Sequence, residues 1–507
     1  MSAPRPTPEP AARGDVLFVL AATAVGALLR FAALGHESIW LDESYSLDIA
    51  RTDYLDLLTG RVYDPGNPAG YFLLLRGWLD LFGSTSIETA RALSALAGTL
   101  AVPAVWLLAH ALAVPRRAAW LACGLVALSP PLVYLSQEAR AFALLATVAT
   151  LAAAAAARVE RDSHPLAWAG FAAAGVVMVH LHYYGFFVLA VLGLDLLVWA
   201  CRRGRREVLR LALASAAVAL GFAPYLPTFV QQLGAGAARS KETWWQHLAL
   251  LPSFSVVGRT LVWKESGLLP VAACAALVVA AVFVPLAWLL PRARPWPRTA
   301  AVLALGLPAL VGLVALKVPM VHTHYLSIVF PALLLLVACA LDAGLRARAR
   351  VALWLPAVAL AVLMPAALAR LYLMPHKTDW RAVAAAVERQ GGGLPVYFYE
   401  DLGAGPFAYY LPGPPRHELE GPCGAGGAGW ARAGYLDRFR AERDGFWLVY
   451  YPASYGSLAE EGAVRELLRR ECAVEQEAAF PPLRLFLCRP VDRDARAAVG
   501  DGRRDRE

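Results

Sequence analysis

Residues 16–34, VLFVLAATAVGALLRFAAL, are followed by Ser38-Ile39-Trp40-Leu41-Asp42-Glu43-Ser44-Tyr45. The first stretch is long enough for a membrane-spanning helix, which needs roughly 20 mostly apolar residues. It is long for a signal-peptide core and no small-x-small cleavage pattern follows it, so it reads as a retained first span. The second stretch places two adjacent carboxylates at the mouth of that helix. Ionised groups are costly inside hydrocarbon, so the pair belongs at the aqueous boundary. A carboxylate held there is placed to take a proton from a water-borne acceptor while a lipid-borne partner lies alongside. Two acids in a loop are more often simply solvated. Here Trp40 and Tyr45 flank them as interfacial anchors, which favours work at the membrane face.

Composition extends this reading to the whole chain. Of 507 residues, 58% are hydrophobic and only 17% charged, with a mean hydropathy of +0.50. Soluble proteins are about 45–50% apolar and about 25% charged. The chain is therefore expected to be an all-α polytopic membrane protein. Apolar runs long enough to span lie near 15–34, 92–113, 118–135, 140–157, 166–182, 184–200, 208–227, 267–290, 299–316, 325–342 and 351–371, which makes about eleven spans. The net charge of +8 does not read as a nucleic-acid footprint, because the arginines cluster between the apolar runs. The clusters are Arg116-Arg117, Arg158 with Arg161, Arg202 to Arg206, Arg292 to Arg298 and Arg346 to Arg350. With the N-terminus inside, all of them fall on the cytoplasmic side, as basic loops do. Tyr71 to Phe82 is then a helix lying in the outer interface rather than a span.

The domains follow. Residues 1–14 form a cytoplasmic disordered N-terminus, and 15–371 a transmembrane catalytic domain whose first outer loop is 35–91. Residues 372–490 change character, with strand-like runs at Leu394 to Tyr399, Phe446 to Tyr451 and Leu483 to Leu487. Trp380 to Arg389 and Leu458 to Arg470 read as helices, and the Gly- and Pro-rich stretch from Gly403 to Gly429 as loop. This is a small α/β extracytoplasmic domain, followed by a disordered tail over 491–507. Among the seven cysteines, Cys472 with Cys488 is the favoured disulfide in an oxidising compartment. The expected location is a membrane crossed many times, with the N-terminus cytoplasmic and the C-terminal domain outside.

The outer loops carry the chemistry. Asp64-Pro65-Gly66-Asn67-Pro68-Ala69-Gly70-Tyr71 reads as a turn, or as a rigid lip that places Asp64 near Asp42. Arg91 and Arg140 sit at outer helix ends, against the positive-inside trend. Either they snorkel to lipid phosphates or they bind a substrate phosphate with their fork of donors. In Ser136-Gln137-Glu138-Ala139-Arg140, either Glu138 orients Arg140 or Arg140 orients Glu138. His180-Leu181-His182-Tyr183-Tyr184 and His322-Thr323-His324-Tyr325 are two His-x-His sequences, a pattern that metals use. Contacts to substrate hydroxyls or phosphate, and interfacial packing, are the other readings. A divalent metal is left open, and no other cofactor is indicated. Trp244-Trp245 suggests an interfacial helix whose aromatics stack on a sugar or cover a lipid. No phosphate-binding Gly-rich loop of a nucleotide enzyme is present.

These motifs in order resemble the bacterial GT-C glycosyltransferases. More narrowly, they resemble the glycosyltransferase family 39 group, related to protein O-mannosyltransferases and to the aminoarabinose transferase of lipid A. The match is carried by Trp40-Leu41-Asp42-Glu43, Asp64 to Pro68 to Tyr71, Gly83 with Arg91, and Ser136 to Arg140, over roughly 15–371. The resemblance implies a polyprenyl-phosphate sugar donor and inverting transfer, on the outer face, to a lipid, glycan or protein acceptor. It implies Asp42 as the catalytic carboxylate, with Glu43 beside it, and Arg91 as a charge stabiliser. The chain departs from the pattern at Asn67-Pro68, where relatives often have two prolines. It departs again at His324-Tyr325, where many have an Arg-Tyr pair implicated in holding the lipid phosphate; if His324 does that job its charge depends on pH, with Lys317 as a candidate helper. The substrate-binding set expected here is Asp64, Asn67, Tyr71, Arg91, Glu138, Arg140, His182, Tyr183, Lys317, His324 and Tyr325. The alternatives are a surface-glycan polymerase or ligase, and a lipid-linked sugar transporter or flippase. Transporters tend to show internal repeats and midplane charges, and neither is evident.

Overall fold

The computed structural model describes residues 12–61, 64, 67–234, 244–258, 268–318, 321–390, 393–399, 403–419, 439, 441–442, 444–450, 465–466, 468, 472–480 and 483–490. The chain divides into two compact units, Met1–Gly35 with Ser46–Met374, and His36–Tyr45 with Pro375–Glu507. The protein is a multi-pass, all-helical membrane chain with a small α/β domain, the fold class that composition predicts.

In the first unit all eleven apolar runs are helical. Nine of the helices among the described residues are long and apolar enough to cross a membrane, from Arg13–Phe31 to Ala352–Leu373. Two runs depart from the expected count. Arg116–Leu128 and Pro130–Ser136 form a pair bent by 51°, and Pro165–Leu181 stops at 17 residues. Burial separates centre from periphery: 89% of the span Thr323–Ala347 is enclosed by the protein, against 22% of Arg13–Phe31. Leu17, Leu20 and Leu28 on the peripheral helix face outward, as lipid contact requires. The helix Phe142–Asp162 buries a run of alanines, and small residues let helices approach where lipid supplies no hydrophobic drive between them. The short helix Gly70–Phe82 buries Tyr71, Phe72, Leu75 and Leu79 along one face, matching the non-spanning helix expected at 71–82.

Charge separates the two ends of this bundle. Arg116 pairs with Asp15, Arg161 donates to the His110 carbonyl at 3.2 Å, and Arg210 reaches Glu207 at 3.0 Å. The basic loops thus gather at one end. Asp64, Arg140 and both His-x-His sequences belong to the other.

The bend at Pro130 has a specific cause. In a helix the carbonyls of Val126 and Ala127 would accept from the backbone N–H groups of residues 130 and 131. Both are prolines and have no N–H. Arg30, fully buried in the first span, supplies the missing donors: Nη2 reaches the Val126 carbonyl at 3.0 Å and Nη1 the Ala127 carbonyl at 3.1 Å. Gly98 lets Ser136 approach, since a Cβ there would lie 2.0 Å from the Ser136 Oγ. The bend carries the chain into Ser136-Gln137-Glu138-Ala139-Arg140.

The second unit holds a sheet of five described strands, β1 Val396–Tyr399, β2 Arg416–Leu419, β3 Phe446–Tyr450, β4 Cys472–Phe480 and β5 Leu483–Pro490, in the order β2-β1-β3-β5-β4. β1 is parallel to β2 and β3, whereas β5 is antiparallel to β3 and β4. Alternate residues face opposite sides of a strand. Val396, Phe398, Trp447, Val449, Leu485 and Leu487 pack with Trp380, Val383 and Val387 of the helix Trp380–Arg389. Tyr397, Phe446, Leu448, Tyr450 and Phe486 pack with Phe439 on the other side. Three strands and that helix were expected. β2, β4 and the helix Ala404–Tyr410 were not: Gly403 to Leu419 holds a helix and a strand where composition suggested only loop. The helical reading of Leu458 to Arg470 falls mostly outside the described residues. Cys472 and Cys488 are buried thiols, not a disulfide; the hydrogen bond with Cys472 and burial push the Cys488 thiol up.

The Arg30 arrangement predicts a coupling. A buried carbonyl left without a donor costs about 1–3 kcal/mol. Arg30→Met should lower the thermal midpoint in detergent. In a Pro130→Ala, Pro131→Ala background, where the backbone supplies its own donors, the same substitution should cost no more than half as much. Equal losses in both backgrounds would contradict this.

Candidate functional site

In the first unit the expected lip is built around Asp64. Asn67 donates through its side chain to the Asp64 carboxylate at 2.9 Å and through its backbone to the Asp64 carbonyl at 3.2 Å. Gln232 donates to the carbonyls of Asp64 and Asn67 at 2.8 and 3.2 Å, and Tyr183 donates to Gln232 in turn. The Tyr225 hydroxyl accepts from the Ala69 N–H at 3.2 Å. Gly70 is required by packing, because a Cβ there would sit 2.3 Å from the His180 carbonyl oxygen.

Arg140 meets this lip. Its guanidinium lies 3.5 Å from the Asp64 carboxylate and 3.3 Å from the Ser46 hydroxyl. The Ser94 hydroxyl donates to the Arg140 carbonyl at 3.1 Å and lies 3.3 Å from the Tyr71 hydroxyl. Arg140 and Tyr71 are buried, and both line a small pocket with Asn67, Phe72, Phe142 and Leu181. Glu138 is fully buried, and its carbonyl accepts from the Arg140 N–H at 2.7 Å. Arg91 is buried too, but its guanidinium donates to the Leu34 carbonyl at 2.6 Å, and it does not line that pocket. Lys317 is exposed after the helix Arg298–Ala315.

The two His-x-His sequences converge through aromatic rings. The His182 ring lies 4.8 Å from that of Tyr325 and 6.2 Å from that of Phe142. Phe142 also stacks on His324, at 6.1 Å. His322 stacks on His324 at 4.8 Å, and His247 extends the row at 5.0 Å from His322. Among the described residues no group of three or more His, Cys, Asp or Glu side chains is arranged to hold a metal ion. His182 Nδ1 accepts from the Tyr184 N–H at 3.1 Å, which leaves the ring proton on Nε2. Burial, and then the charge of Arg140, push the His182 pKa down to about 3. Burial raises the Tyr183 phenol, so it remains a hydrogen-bond donor.

In the second unit, Asp42 and Glu43 stand in the first turn of the helix Leu41–Ala50. They part company in their surroundings. Glu43 is fully buried and pairs with Lys377 at 3.1 Å, whereas Asp42 is partly exposed. The preceding residues are fastened to the chain that enters the helix Trp380–Arg389. The Glu37 carboxylate accepts from the N–H of Lys377 at 3.1 Å, and the Ser38 hydroxyl from that of Arg381 at 3.2 Å. The Ile39 N–H donates to the Tyr410 hydroxyl at 2.9 Å.

Sequence reasoning missed Ser46, Gln232, His247, Glu37 and Lys377. Gln232 carried a faint signal, as a polar residue closing an apolar span. Lys377 carried none, since its partner lies 334 residues away.

A neutral buried His182 has a consequence for stability. The unfolded chain binds a proton at this residue below about pH 6.5, the ordinary histidine value, and the folded chain does not until about pH 3. Stability contributed at high pH is therefore lost as pH falls through that window. His182→Asn, which keeps an acceptor for the Tyr184 N–H, should make the acid slope of the thermal midpoint in detergent shallower by up to one proton. An unchanged slope would contradict the assignment.

No family model and no curated protein matches this sequence. Solved structures do match. ArnT from Cupriavidus metallidurans in the apo state aligns with a TM-score of 0.58 at 16% identity, covering 93% of this chain and 97% of that one. The same protein bound to undecaprenyl phosphate gives 0.54 at 17% identity over 94% and 98%. The Archaeoglobus fulgidus oligosaccharyltransferase, in complex with Zn and sulfate, gives 0.50 at 15% identity over 85% of this chain and 67% of that one. Along nearly its whole length, then, this chain has the fold of the GT-C glycosyltransferases.

Proposed function

We propose that this chain is an integral membrane glycosyltransferase that moves a sugar from a polyprenyl-phosphate donor to an acceptor hydroxyl or amine, with inversion. The observation that carries the reading is a fold shared with ArnT from one end of both chains to the other. ArnT was solved with undecaprenyl phosphate bound, which supports a polyprenyl phosphate as the lipid. The meeting of Arg140 with Asp64 and the convergence of the two His-x-His sequences at helix ends support chemistry at a membrane face. In this reading the membrane is a bacterial plasma membrane, the face is the outer one, and the acceptor is a lipid, glycan or protein.

The acceptor oxygen or nitrogen attacks the anomeric carbon, and the bond from that carbon to the phosphate oxygen breaks. The lipid phosphate leaves with the electron pair, and the acceptor proton passes to Asp42. One base suffices for a single displacement. Asp42 suits the role because it is partly exposed, whereas Glu43 is committed to Lys377. Arg140 offsets the charge that grows on the departing phosphate, and its burial strengthens that interaction. Asp64 and Asn67 hold Arg140 and the pocket rim. Tyr71 and Ser94 position its backbone. His182, kept neutral, offers its Nε2–H to a sugar hydroxyl or phosphate oxygen, with Tyr183 supporting the rim. His324, Tyr325 and Lys317 stand for the lipid-phosphate contacts of relatives, Arg91 for anchoring the second span and Glu138 for orienting the Arg140 segment.

General-base catalysis contributes typically about 10²–10⁴-fold. Asp42→Asn should therefore reduce transfer at least hundredfold in membranes supplied with radiolabelled polyprenyl-phosphate sugars, while the protein stays folded in detergent. Arg140→Lys should retain part of the rate and Arg140→Ala very little. Full activity in Asp42→Asn would sink the assignment.

A further inference from the structure

Glu43 is a carboxylate without access to water, and the cation that neutralises it comes from the far end of the sequence. Lys377 Nζ lies 3.1 Å from Glu43 Oε2, with the two side chains 5% and 0% exposed. The same ammonium stands 5.9 Å from the centre of the Trp40 ring, within cation–π range. Around this pair the strand of chain before Asp42 is fastened by Glu37 to the backbone N–H groups of His376 and Lys377, at 3.4 and 3.1 Å. All of these contacts lie within one compact unit. Burying a carboxylate demands a countercharge. Removing one partner of such a pair is far more damaging than removing both.

We propose that Lys377 is a positioning residue for Asp42: by neutralising Glu43 inside the protein it holds the first turn of the helix Leu41–Ala50, and with it the neighbouring carboxylate. The inference rests on the reading of Asp42 as the base. Asp42 and Glu43 then have different duties. Asp42 is the carboxylate read as the base, and Glu43 anchors the turn that presents it. Loss of the anchor displaces the base without touching donor binding.

Two measurements test this, and they fail independently. The first needs no activity. Hydrogen exchange is followed in peptides covering residues 36–48 in the full-length protein in detergent. Lys377→Met should speed exchange there at least tenfold. The Glu43→Gln, Lys377→Met pair should return it to within a few-fold of wild type, because no charge is left buried. Unchanged exchange in Lys377→Met overturns the proposal whatever the enzyme does. The second is kinetic. Lys377→Met should lower kcat ten- to hundredfold with the donor KM within about twofold, and Lys377→Arg, which keeps the charge, should recover most of the rate. A normal kcat in Lys377→Met beside an inactive Asp42→Asn overturns the positioning role and leaves the catalytic reading standing. An active Asp42→Asn beside altered exchange in Lys377→Met overturns the catalytic reading instead, and with it the positioning of a base.

Discussion

Carbonyls and charges withdrawn from water need partners, and in this protein distant parts of the chain supply them, a constraint that shapes the fold from the bilayer to the site. Helices satisfy it for the backbone. Where two prolines break a helix, the buried guanidinium of Arg30 takes the place of their missing N–H groups. Where a lip turns back on itself without regular structure, Gln232 supplies donors to its carbonyls. Where a carboxylate is enclosed, Lys377 answers it. None of these partners belongs to the local stretch it serves. A side chain from one helix completes the backbone of another, so the bent segment that ends in Arg140 is held by the first span rather than by its own sequence.

The polar residues of the two units also differ in their surroundings. Glu43, Arg91 and Gln232 are occupied by protein partners. Asp42 is partly exposed, and Arg140 is the cation that lines the small pocket. His182 is kept neutral by burial and by the charge of Arg140, with its ring proton on Nε2.

Much of the fold was legible in the sequence because hydropathy and charge are local signals. All eleven apolar runs are helices, and the basic clusters gather at one end. The two departures also have local causes: Pro130-Pro131 bends one span, and Pro165 starts another after His164, leaving it short. Strand β4 escaped notice because it is an edge strand exposed along much of its length, without the apolar run that marked β1, β3 and β5. The site was readable only in part. Asp42, Asp64, Arg140 and the two His-x-His sequences stand out as polar groups at helix ends. The division between Asp42 and Glu43 does not, because it depends on a lysine 334 residues away. The convergence of His182 with His324 is likewise a property of packing, made by Phe142 and Tyr325 between them.

The most direct test is chemical. Purified protein in liposomes is given undecaprenyl phosphate carrying a radiolabelled sugar, together with an acceptor-containing envelope extract, and the bond between sugar and phosphate is followed. A glycosyltransferase moves the label covalently to the acceptor and releases one undecaprenyl phosphate for each sugar transferred. Recovery of the donor intact, with label merely relocated across the bilayer, would contradict transfer and make this chain a carrier of lipid-linked sugars.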